Sequence, residues 1–439
     1  MWTDIRAGSG RRPVGDARSL VATAAVLVSL LLTPVAASAD DPVMEWNQIA
    51  LAATVTAGQA PIVQIRTMAI VQVSVHDAVN AITCNYRTYL SISCGPWGSP
   101  EAAAIVAAHR ALVGLFPAQA AALNVARAAS LAAHGFTETD PGIAFGEAVA
   151  AVILAIRSND GSAQAQFPYT APGAGNPGVW VAVGPAAPLL PGWGNVALWV
   201  VRSLSQFEPD GPPLLHSRRY ASDYNEVKEI GSLTSQTRTD EQTEIARFWL
   251  ATPTAIWNGV ARQVIQARGL DLSATARALA LIYLASADAS IACWKAKYTF
   301  NFWRPITAIR NGDLDDNPRT LRDLAWTPLF PTPQHPEYLS GHATNSGAMA
   351  TVLMLLFGDE PSVPIVAISP TNPGFERHWA RLSEGVEDVI EARIYAGIHY
   401  RTSDEEGAQS GRKIARFVVN HALRVRRPNR SPRDTGLSR

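Results

Sequence analysis

The sequence lacks low-complexity tracts, an excess of charge of either sign and, beyond its first 39 residues, an uninterrupted apolar run of the roughly 20 residues that a membrane-spanning helix needs. With 47% hydrophobic and 17% charged residues, the composition is typical of a globular chain and argues against disorder. Removing residues 1–39 leaves 33 basic and 35 acidic residues, a net charge of −2. The sequence therefore predicts no nucleic-acid partner and no integral membrane association of the mature chain.

The first 39 residues have the pattern of an export signal. Four arginines precede an apolar run over 20–32, and Ala37-Ser38-Ala39 forms a small-residue cleavage site. These features predict cleavage after Ala39 and a secreted or periplasmic protein. Arg11-Arg12 leaves the Sec and twin-arginine export routes both open.

Cysteine is scarce, with three residues in the whole chain. Cys84 and Cys94 lie ten positions apart in a turn-like segment, and an oxidising compartment would allow them to pair. Cys293 lies in an apolar helical pattern beside Trp294, so we expect it to be a small buried residue without a catalytic role.

The spacing of apolar residues predicts helices over 43–82, 101–158 and 273–303, where they recur at three and four positions. Between Gly161 and Gly194, 13 of 34 residues are Gly or Pro, which predicts an irregular connector. Strand-like alternation is scarce, so we predict an all-α fold of two packed helical bundles with long irregular connectors. The predicted segments are a signal peptide (1–39), an N-terminal helical half (40–160), a connector (161–230), a C-terminal helical bundle (231–423) and a basic tail (424–439).

Three blocks of polar residues in the C-terminal half indicate chemistry. The first lies on a predicted helix that begins at Ser273 as a cap and runs to Trp303 before Pro305. Lys297 and Arg304 are seven residues apart, which places them within about 20° of each other on one helical face. By itself, such a pair is typical of a solvated helix face.

The second block is His335-Pro336-Glu337-Tyr338-Leu339-Ser340-Gly341-His342, followed by a helical pattern over 343–357. Ser340 is the expected cap of this helix. The first turn of a helix offers free N–H groups and the positive end of the helix dipole, which together can bind an anion. Gly341 allows an anion to approach the backbone closely, and His342 could exchange a proton with it.

The third block contains Arg393 and, six residues later, His399. Six positions of a straight helix turn 240°, so the two side chains would diverge unless Gly397 breaks the helix between them. Asp404 lies five residues after His399. Its carboxylate could accept from the second ring nitrogen of His399 and so fix the tautomer of the ring.

Together, the three blocks resemble the signature shared by vanadium-dependent haloperoxidases and type 2 phosphatidic acid phosphatases. The resemblance is sharpest over 288–411, and the segment 46–231 is similar to the bacterial haloperoxidase-like branch. It implies a pocket that holds vanadate as cofactor in the peroxidases, or a substrate phosphate in the phosphatases. The matching elements are Lys297-(six residues)-Arg304-Pro305, Ser340-Gly341-His342 and Arg393-(five residues)-His399.

The resemblance also implies a role for each matching residue. His399 would be the axial vanadium ligand, or the nucleophile of a phosphatase, and His342 would be the acid/base. Lys297 would polarise a bound peroxide. The residues that would bind the oxygens of the anion are Lys297, Arg304, Ser340, Gly341 and Arg393.

Trp294 and His335 match positions that border the halide site in the haloperoxidases. An aromatic face beside an imidazole could hold a soft anion, and a histidine at the second position resembles the bromide-type enzymes. The alternative is that Trp294 is a core residue and His335 a surface turn residue.

Two further features separate the peroxidases from the phosphatases. Phosphatases of this class place Asp four residues after the histidine, where this chain has Ser403, and their lipid-specific members are usually membrane-embedded. We therefore expect a vanadate-dependent haloperoxidase that oxidises halide, with bromide favoured, using hydrogen peroxide, and that acts on a small organic acceptor where one is bound. The alternatives are an exported acid phosphatase with a phosphohistidine intermediate and an oxyanion-binding protein without turnover.

Overall fold

The computed structural model describes residues 41–426; the predicted signal peptide and residues 427–439 of the predicted basic tail lie outside the described residues. This range is mostly helical, with one pair of short antiparallel strands in which Ile365 lies opposite Trp379. The predicted all-α fold class is confirmed. The helices are α1 (Pro42–Thr56), α2 (Pro61–Thr83), α3 (Pro100–Leu115), α4 (Ala120–Ala133), α5 (Pro141–Arg157), α6 (Arg218–Ile230), α7 (Asp240–Phe248), α8 (Pro253–Arg268), α9 (Leu272–Phe300), α10 (Pro305–Arg310), α11 (Gly341–Phe357), α12 (Leu382–Tyr395) and α13 (Arg401–His421), and the strands are β1 (Ile365–Ile368) and β2 (Glu376–Trp379).

Several helices begin where a capping side chain is followed directly by proline. This pattern occurs at the starts of α1, α3, α5 and α8. Proline fixes a helical φ at a position whose N–H would have no partner, and the capping oxygen accepts from the first turn. The capping residues are Asp41, Ser99, Asp140 and Thr252.

The start of α9 corrects the prediction that Ser273 caps this helix. The cap is Asp271, whose Oδ1 accepts from the Ala274 N–H at 2.7 Å. Ser273 lies inside the helix and is buried, and its hydroxyl contacts the side chain of Asn80 on α2. An aspartate two residues earlier is at least as good a cap as serine, and its charge also favours the helix N-terminus.

The end of α9 also differs from the prediction, which extended the helix to Trp303. Asn301 adopts a left-handed φ of 48° and ends the helix, a conformation that asparagine tolerates better than most residues. Arg304 is extended and precedes Pro305, which starts α10. Arg304 therefore does not share a helical face with Lys297, and the two side chains meet by a turn of the chain instead.

The predicted connector over 161–230 is irregular only as far as residue 217, because α6 occupies its last 13 residues. Ser217 caps this helix by accepting from the Tyr220 N–H at 3.1 Å. Tyr220, Tyr224 and Val227 recur at spacings of four and three, and all three are buried. This short helical pattern places α6 against the core at the end of the connector.

The irregular part of the connector is fixed to α9 by a buried carboxylate. Asp288, in the middle of α9, accepts from the N–H groups of Trp199, Val200 and Val201 at 2.7 to 2.9 Å. Asp288 is fully buried, so these hydrogen bonds replace the water that the carboxylate loses on folding. The connector thus has a defined path across the helix that carries Lys297.

Helix α9 lies at the centre of the structure and packs against α2 on one side and against α11 and α13 on the other. Its length and hydropathy would allow it to cross a membrane, but 94% of the relevant window is buried by other parts of the protein. Burial of this kind is typical of a core helix. One hydrophobic cluster accordingly extends from the N-terminal helices through α9 into the C-terminal helices.

Within residues 41–426, two cysteines are paired and one is free. Cys84 and Cys94 form a disulfide across Cα atoms that lie 5.6 Å apart. Cys293 is a free, buried thiol whose Sγ lies 3.5 Å from the carbonyl oxygen of Leu339.

Candidate oxyanion site

The first two cationic residues of the site are fully buried and are held by backbone carbonyls. Lys297 Nζ donates to the carbonyl oxygens of Pro336 at 2.9 Å and Glu337 at 3.0 Å. Arg304 Nε donates to the carbonyl of His335 at 2.9 Å. Lys297 lies on α9 and Arg304 directly before α10, yet both side chains contact the same short segment before α11.

Arg304 also links two imidazoles of the site. Its Nη2 lies 2.9 Å from His335 Nδ1, and its Nη1 lies 3.2 Å from His399 Nε2. Because guanidinium nitrogens only donate hydrogen bonds, both ring nitrogens must accept. Nη1 also donates to the carbonyl of Ile398 at 2.7 Å.

Ser340 and Gly341 form the start of α11. Ser340 occupies the N-cap position, but its hydroxyl makes no capping hydrogen bond and has no hydrogen-bond partner within residues 41–426. The expected side-chain cap is therefore not formed. A Cβ at Gly341 would lie 3.2 Å from Cζ3 of Trp294, so the glycine allows the first turn of α11 to lie against this ring.

His342 lies in the first turn of α11 and is half-buried. Its Nε2 lies 3.1 Å from the carbonyl oxygen of Ala251 in the segment that leads into α8. Because a carbonyl can only accept, Nε2 carries the proton and Nδ1 is the basic nitrogen.

The chain breaks between Arg393 and His399, as the sequence predicted, and besides burial the charge of nearby Arg393 lowers the pKa of His399. Helix α12 ends at Tyr395, and Gly397 has a φ of 76°, which reverses the chain before His399. Arg393 Nη1 donates to the carbonyl of Trp249 at 2.6 Å, whereas its Nε has no partner in the described part of the chain. Both side chains are almost fully buried.

The carboxylate that contacts His399 is Glu337, and the prediction of Asp404 is wrong. Glu337 Oε1 lies 2.8 Å from His399 Nδ1 and also accepts from the Tyr400 N–H at 3.0 Å. Asp404 lies in the first turn of α13, where its carboxylate is close to Ser340 and Arg393 but does not hydrogen-bond to the ring. Both carboxylate oxygens of Asp404 are buried and lack a hydrogen-bond partner within the described range.

Sequence reasoning missed Glu337 although it lies within the second block. Residues 335 to 340 are non-helical, and in an extended segment every second side chain points to the same side. His335 and Glu337 would then share a side, which is the signal that could have identified the acid.

Burial disfavours the charged form of the titratable groups at the site. It lowers the pKa of Lys297 to about 7, that of Arg304 to about 10 and that of Arg393 to about 10. It raises the pKa of Glu337 to about 7, while Arg304 and Lys297 act in the opposite direction. Burial also lowers the pKa of three imidazoles well below the ordinary value of histidine. They belong to His335, His342 and His399.

Trp294 and His335 are neighbours in the structure. Their ring centroids are 5.1 Å apart with an interplanar angle of 46°, and both residues are almost fully buried. Trp294 Nε1 donates to the carbonyl of Leu189 in the connector at 3.2 Å. The alternative that His335 is a surface turn residue is therefore wrong.

Comparison with known families matches the part of the chain that carries this site. Residues 277–428 match the family model described as the VCPO second helical-bundle domain. A vanadium chloroperoxidase from Curvularia inaequalis is 27% identical over 256 residues, which make up 47% of this chain. The match spans 41% of the length of that relative.

Solved structures extend the similarity to most of the chain. A bacterial vanadium-dependent iodoperoxidase superposes with a TM-score of 0.75 at 26% identity, covering 88% of this chain and 96% of the other. This chain is thus similar to vanadium-dependent haloperoxidases in both sequence and fold. An apo-type bacterial vanadium-dependent chloroperoxidase shares the fold of this chain, with a TM-score of 0.66 at 18% identity over 82% of this chain and 94% of the other.

At the candidate site, the buried polar atoms without hydrogen-bond partners fit an oxyanion. Buried polar atoms in proteins are nearly always hydrogen-bonded, yet Arg393 Nε and Ser340 Oγ, which lies near the Asp404 carboxylate, form no hydrogen bond within residues 41–426. Both donors belong to the signature, as do the adjacent free N–H groups at the start of α11. An anion with several oxygens supplies acceptors of the required kind.

Proposed function

We propose that this chain is a vanadate-dependent haloperoxidase that oxidises halide with hydrogen peroxide to a hypohalous-acid equivalent. The observation that carries the proposal is a buried group of cations around His399 near the start of α11. Lys297 and Arg304 donate to the segment before this helix, Arg304 contacts the ring, and the charge of Arg393 acts on it. These groups come from different segments of the chain, and a bacterial vanadium-dependent iodoperoxidase shares the fold that brings them together.

Vanadate would be held by the donors of this site. When bound, vanadium supplies Lewis acidity that activates peroxide without a change of its own redox state. His399 Nε2 would hold the vanadium, because the other ring nitrogen is engaged by Glu337. The groups that would bind the vanadate oxygens are Lys297, Arg304, Arg393, Ser340 Oγ and the Gly341 N–H.

His342 and Lys297 are the residues that would act on peroxide. His342 Nδ1 is the basic nitrogen, and the low pKa that burial gives the ring keeps it neutral and able to take the peroxide proton. The ammonium of Lys297 would withdraw electron density from a neighbouring peroxide oxygen. Its two hydrogen-bond acceptors are neutral carbonyls, and the carboxylates of Glu337 and Asp404 act on its charge without accepting from it.

Trp294 and His335 would form the halide site, with bromide preferred. His335 Nδ1 lies closer to the Arg304 donor, at 2.9 Å, than to the Pro336 carbonyl, at 3.2 Å, so the ring proton is placed on Nε2. An N–H donor beside an aromatic surface suits a soft anion. Hydrogen peroxide and halide are the proposed small-molecule partners, with a small organic acceptor for the halogenating product.

The test is the bromination of a phenolic dye by hydrogen peroxide, with and without added vanadate. We expect activity that requires vanadate, that is faster with bromide than with chloride, and that is lost in His399→Ala. His378→Ala is a matched control, because it removes an exposed imidazole on β2. Activity that ignores vanadate, or that survives in His399→Ala, would rule out the proposal.

A second candidate function is hydrolysis of phosphate monoesters through a phosphohistidine. The contact between Glu337 and His399 Nδ1 favours it, because an acid in this position keeps the proton on Nδ1 and leaves the Nε2 lone pair, which faces Arg304 Nη1, as the nucleophile. Release of phosphate from p-nitrophenyl phosphate without vanadate would support this function. Tight vanadate binding without either reaction would instead identify an oxyanion-binding protein without turnover.

We further propose that the protein is exported, on the basis of its N-terminal signal pattern. N-terminal sequencing of protein recovered outside the cytoplasm should begin at Asp40. A chain that keeps its first 39 residues would contradict this proposal.

A further inference from the structure

Glu337 contacts two functional residues of the proposed site through different groups. Its side-chain Oε1 lies 2.8 Å from His399 Nδ1, and its backbone carbonyl accepts from Lys297 Nζ at 3.0 Å. The residue is fully buried, and its own N–H donates to the carbonyl of Phe302 at 2.9 Å. One residue thus lies between the imidazole and the ammonium of the signature and is itself fixed by the backbone.

The contacts on both sides of the His399 ring select one tautomer. The Glu337 carboxylate accepts a hydrogen bond from Nδ1–H. On the other side of the ring, Arg304 Nη1, which can only donate, lies 3.2 Å from Nε2. If the proton moved to Nε2, two donors would face each other there, and Nδ1 would face a carboxylate without a proton between them. The contact with Glu337 therefore presents the lone pair of Nε2 to the site.

We propose that Glu337 is a positioning residue of this site, which fixes the tautomer and orientation of His399 and anchors Lys297. This inference rests on the proposed function, because it assigns His399 Nε2 as the atom that meets vanadate. Ligating imidazoles are commonly oriented in this way by a carboxylate on the second ring nitrogen. Here the acid comes from the segment before α11 rather than from the helix that follows the histidine.

Two measurements on the purified protein test the proposal, calorimetric titration with orthovanadate and nitrogen-15 NMR of the histidine side chains without vanadate. The variants are Glu337→Gln, whose amide oxygen can still accept from Nδ1, and Glu337→Leu, which removes the acceptor. We expect vanadate affinity to fall about 10-fold in the first and about 100-fold in the second, the range found when such partners are lost. The ring of His399 should carry its proton on Nδ1 in the wild type and lose this preference in Glu337→Leu.

Asp404→Asn is the contrast, because it changes a buried acid of the same region that does not contact His399. The proposal requires this variant to keep the wild-type tautomer. It is overturned if Glu337→Leu keeps the tautomer and binds vanadate as the wild type does, or if Asp404→Asn alone changes the tautomer.

Leucine at a buried polar position can prevent folding, so circular dichroism accompanies each variant. If Glu337→Leu does not fold, Glu337→Gln decides the outcome by its vanadate affinity, with wild-type affinity counting against the proposal. The NMR measurement separates this inference from the proposed function. A wild type that binds no vanadate contradicts the function, whereas the Nδ1 proton of His399 still reports on Glu337.

Discussion

Residues of the site are held mainly by neutral acceptors. Lys297 donates to two backbone carbonyls and Arg393 to one, while Arg304 donates to two carbonyls and contacts two imidazoles. Carbonyls fix the direction of a cation without cancelling its charge. The positive charge therefore stays available for an anionic ligand, although burial makes it costly in the absence of one.

His76 provides a residue-scale test of burial away from the site. It is fully buried on α2, with Nε2 3.2 Å from the Arg87 carbonyl and Nδ1 3.1 Å from Asn80 Nδ2. Burial lowers its pKa from 6.5 to about 3, so the folded protein holds a neutral ring. The stability due to this difference is present above pH 6.5 and is lost as the pH falls toward 3, at about 1.4 kcal/mol per pH unit.

We expect the wild type to lose about 2 kcal/mol more unfolding free energy than His76→Gln between pH 7 and pH 5. Urea unfolding at the two pH values measures this difference. His421→Gln, which changes an exposed imidazole on α13, should keep the wild-type pH dependence. Identical pH dependence in His76→Gln and the wild type would show that the ring is not buried in the neutral form.

At the scale of elements, the site depends on how closely α11 and α13 pack. Gly411 on α13 faces the backbone of α11, where an added Cβ would meet the carbonyl of Thr344 and the N–H of Ala348. Gly347 on α11 faces Ala408 on α13 in the same way. Small residues thus set the distance between α13 and the helix whose first turn belongs to the site.

We expect Gly411→Ala to lower the free energy of unfolding by about 1–3 kcal/mol, because the new methyl group meets backbone atoms that cannot move independently. Chemical denaturation measures the change. The matched control is Gly259→Ala in α8, where nothing lies within 4 Å of an added Cβ. This control should gain up to about 1 kcal/mol from helix propensity, and an equal gain in Gly411→Ala would contradict the close packing.

Across the whole molecule, the site joins segments from Lys297 to His399, so a ligand bound there should stabilise the entire fold. A ligand that binds only the native state at 100 times its Kd adds about 2.7 kcal/mol to the unfolding free energy. We therefore expect vanadate to raise the melting temperature of the wild type and to raise it less in Arg393→Gln. Differential scanning calorimetry measures both shifts.

Arg247→Gln is the control for this prediction, because Arg247 lies on α7 in an exposed ion pair with Glu244. This variant should respond to vanadate as the wild type does. A wild-type melting temperature that does not change at saturating vanadate would contradict the binding of this anion to the native fold.

Features that depend on neighbouring residues could be predicted from the amino-acid sequence. Apolar spacing indicated helices, and the break at Gly397 followed from the angle between Arg393 and His399. The spacing of apolar residues did not predict two short features. Helix α6 lies inside the predicted connector, and α9 ends at Asn301, before Arg304. Backbone conformation at such ends depends on one or two residues, whose local preferences are weak beside tertiary contacts.

Which groups meet across the chain depends on tertiary packing. Asp404 is the nearer acid in sequence and lies close to Ser340 and Arg393, but the acid that hydrogen-bonds to the His399 ring is Glu337, from 62 residues earlier. Trp294 and His335 likewise become neighbours through the packing of α9 against the start of α11. Spacing fixes geometry within one helix, whereas the distance between segments is set by packing of the core, which no local pattern encodes.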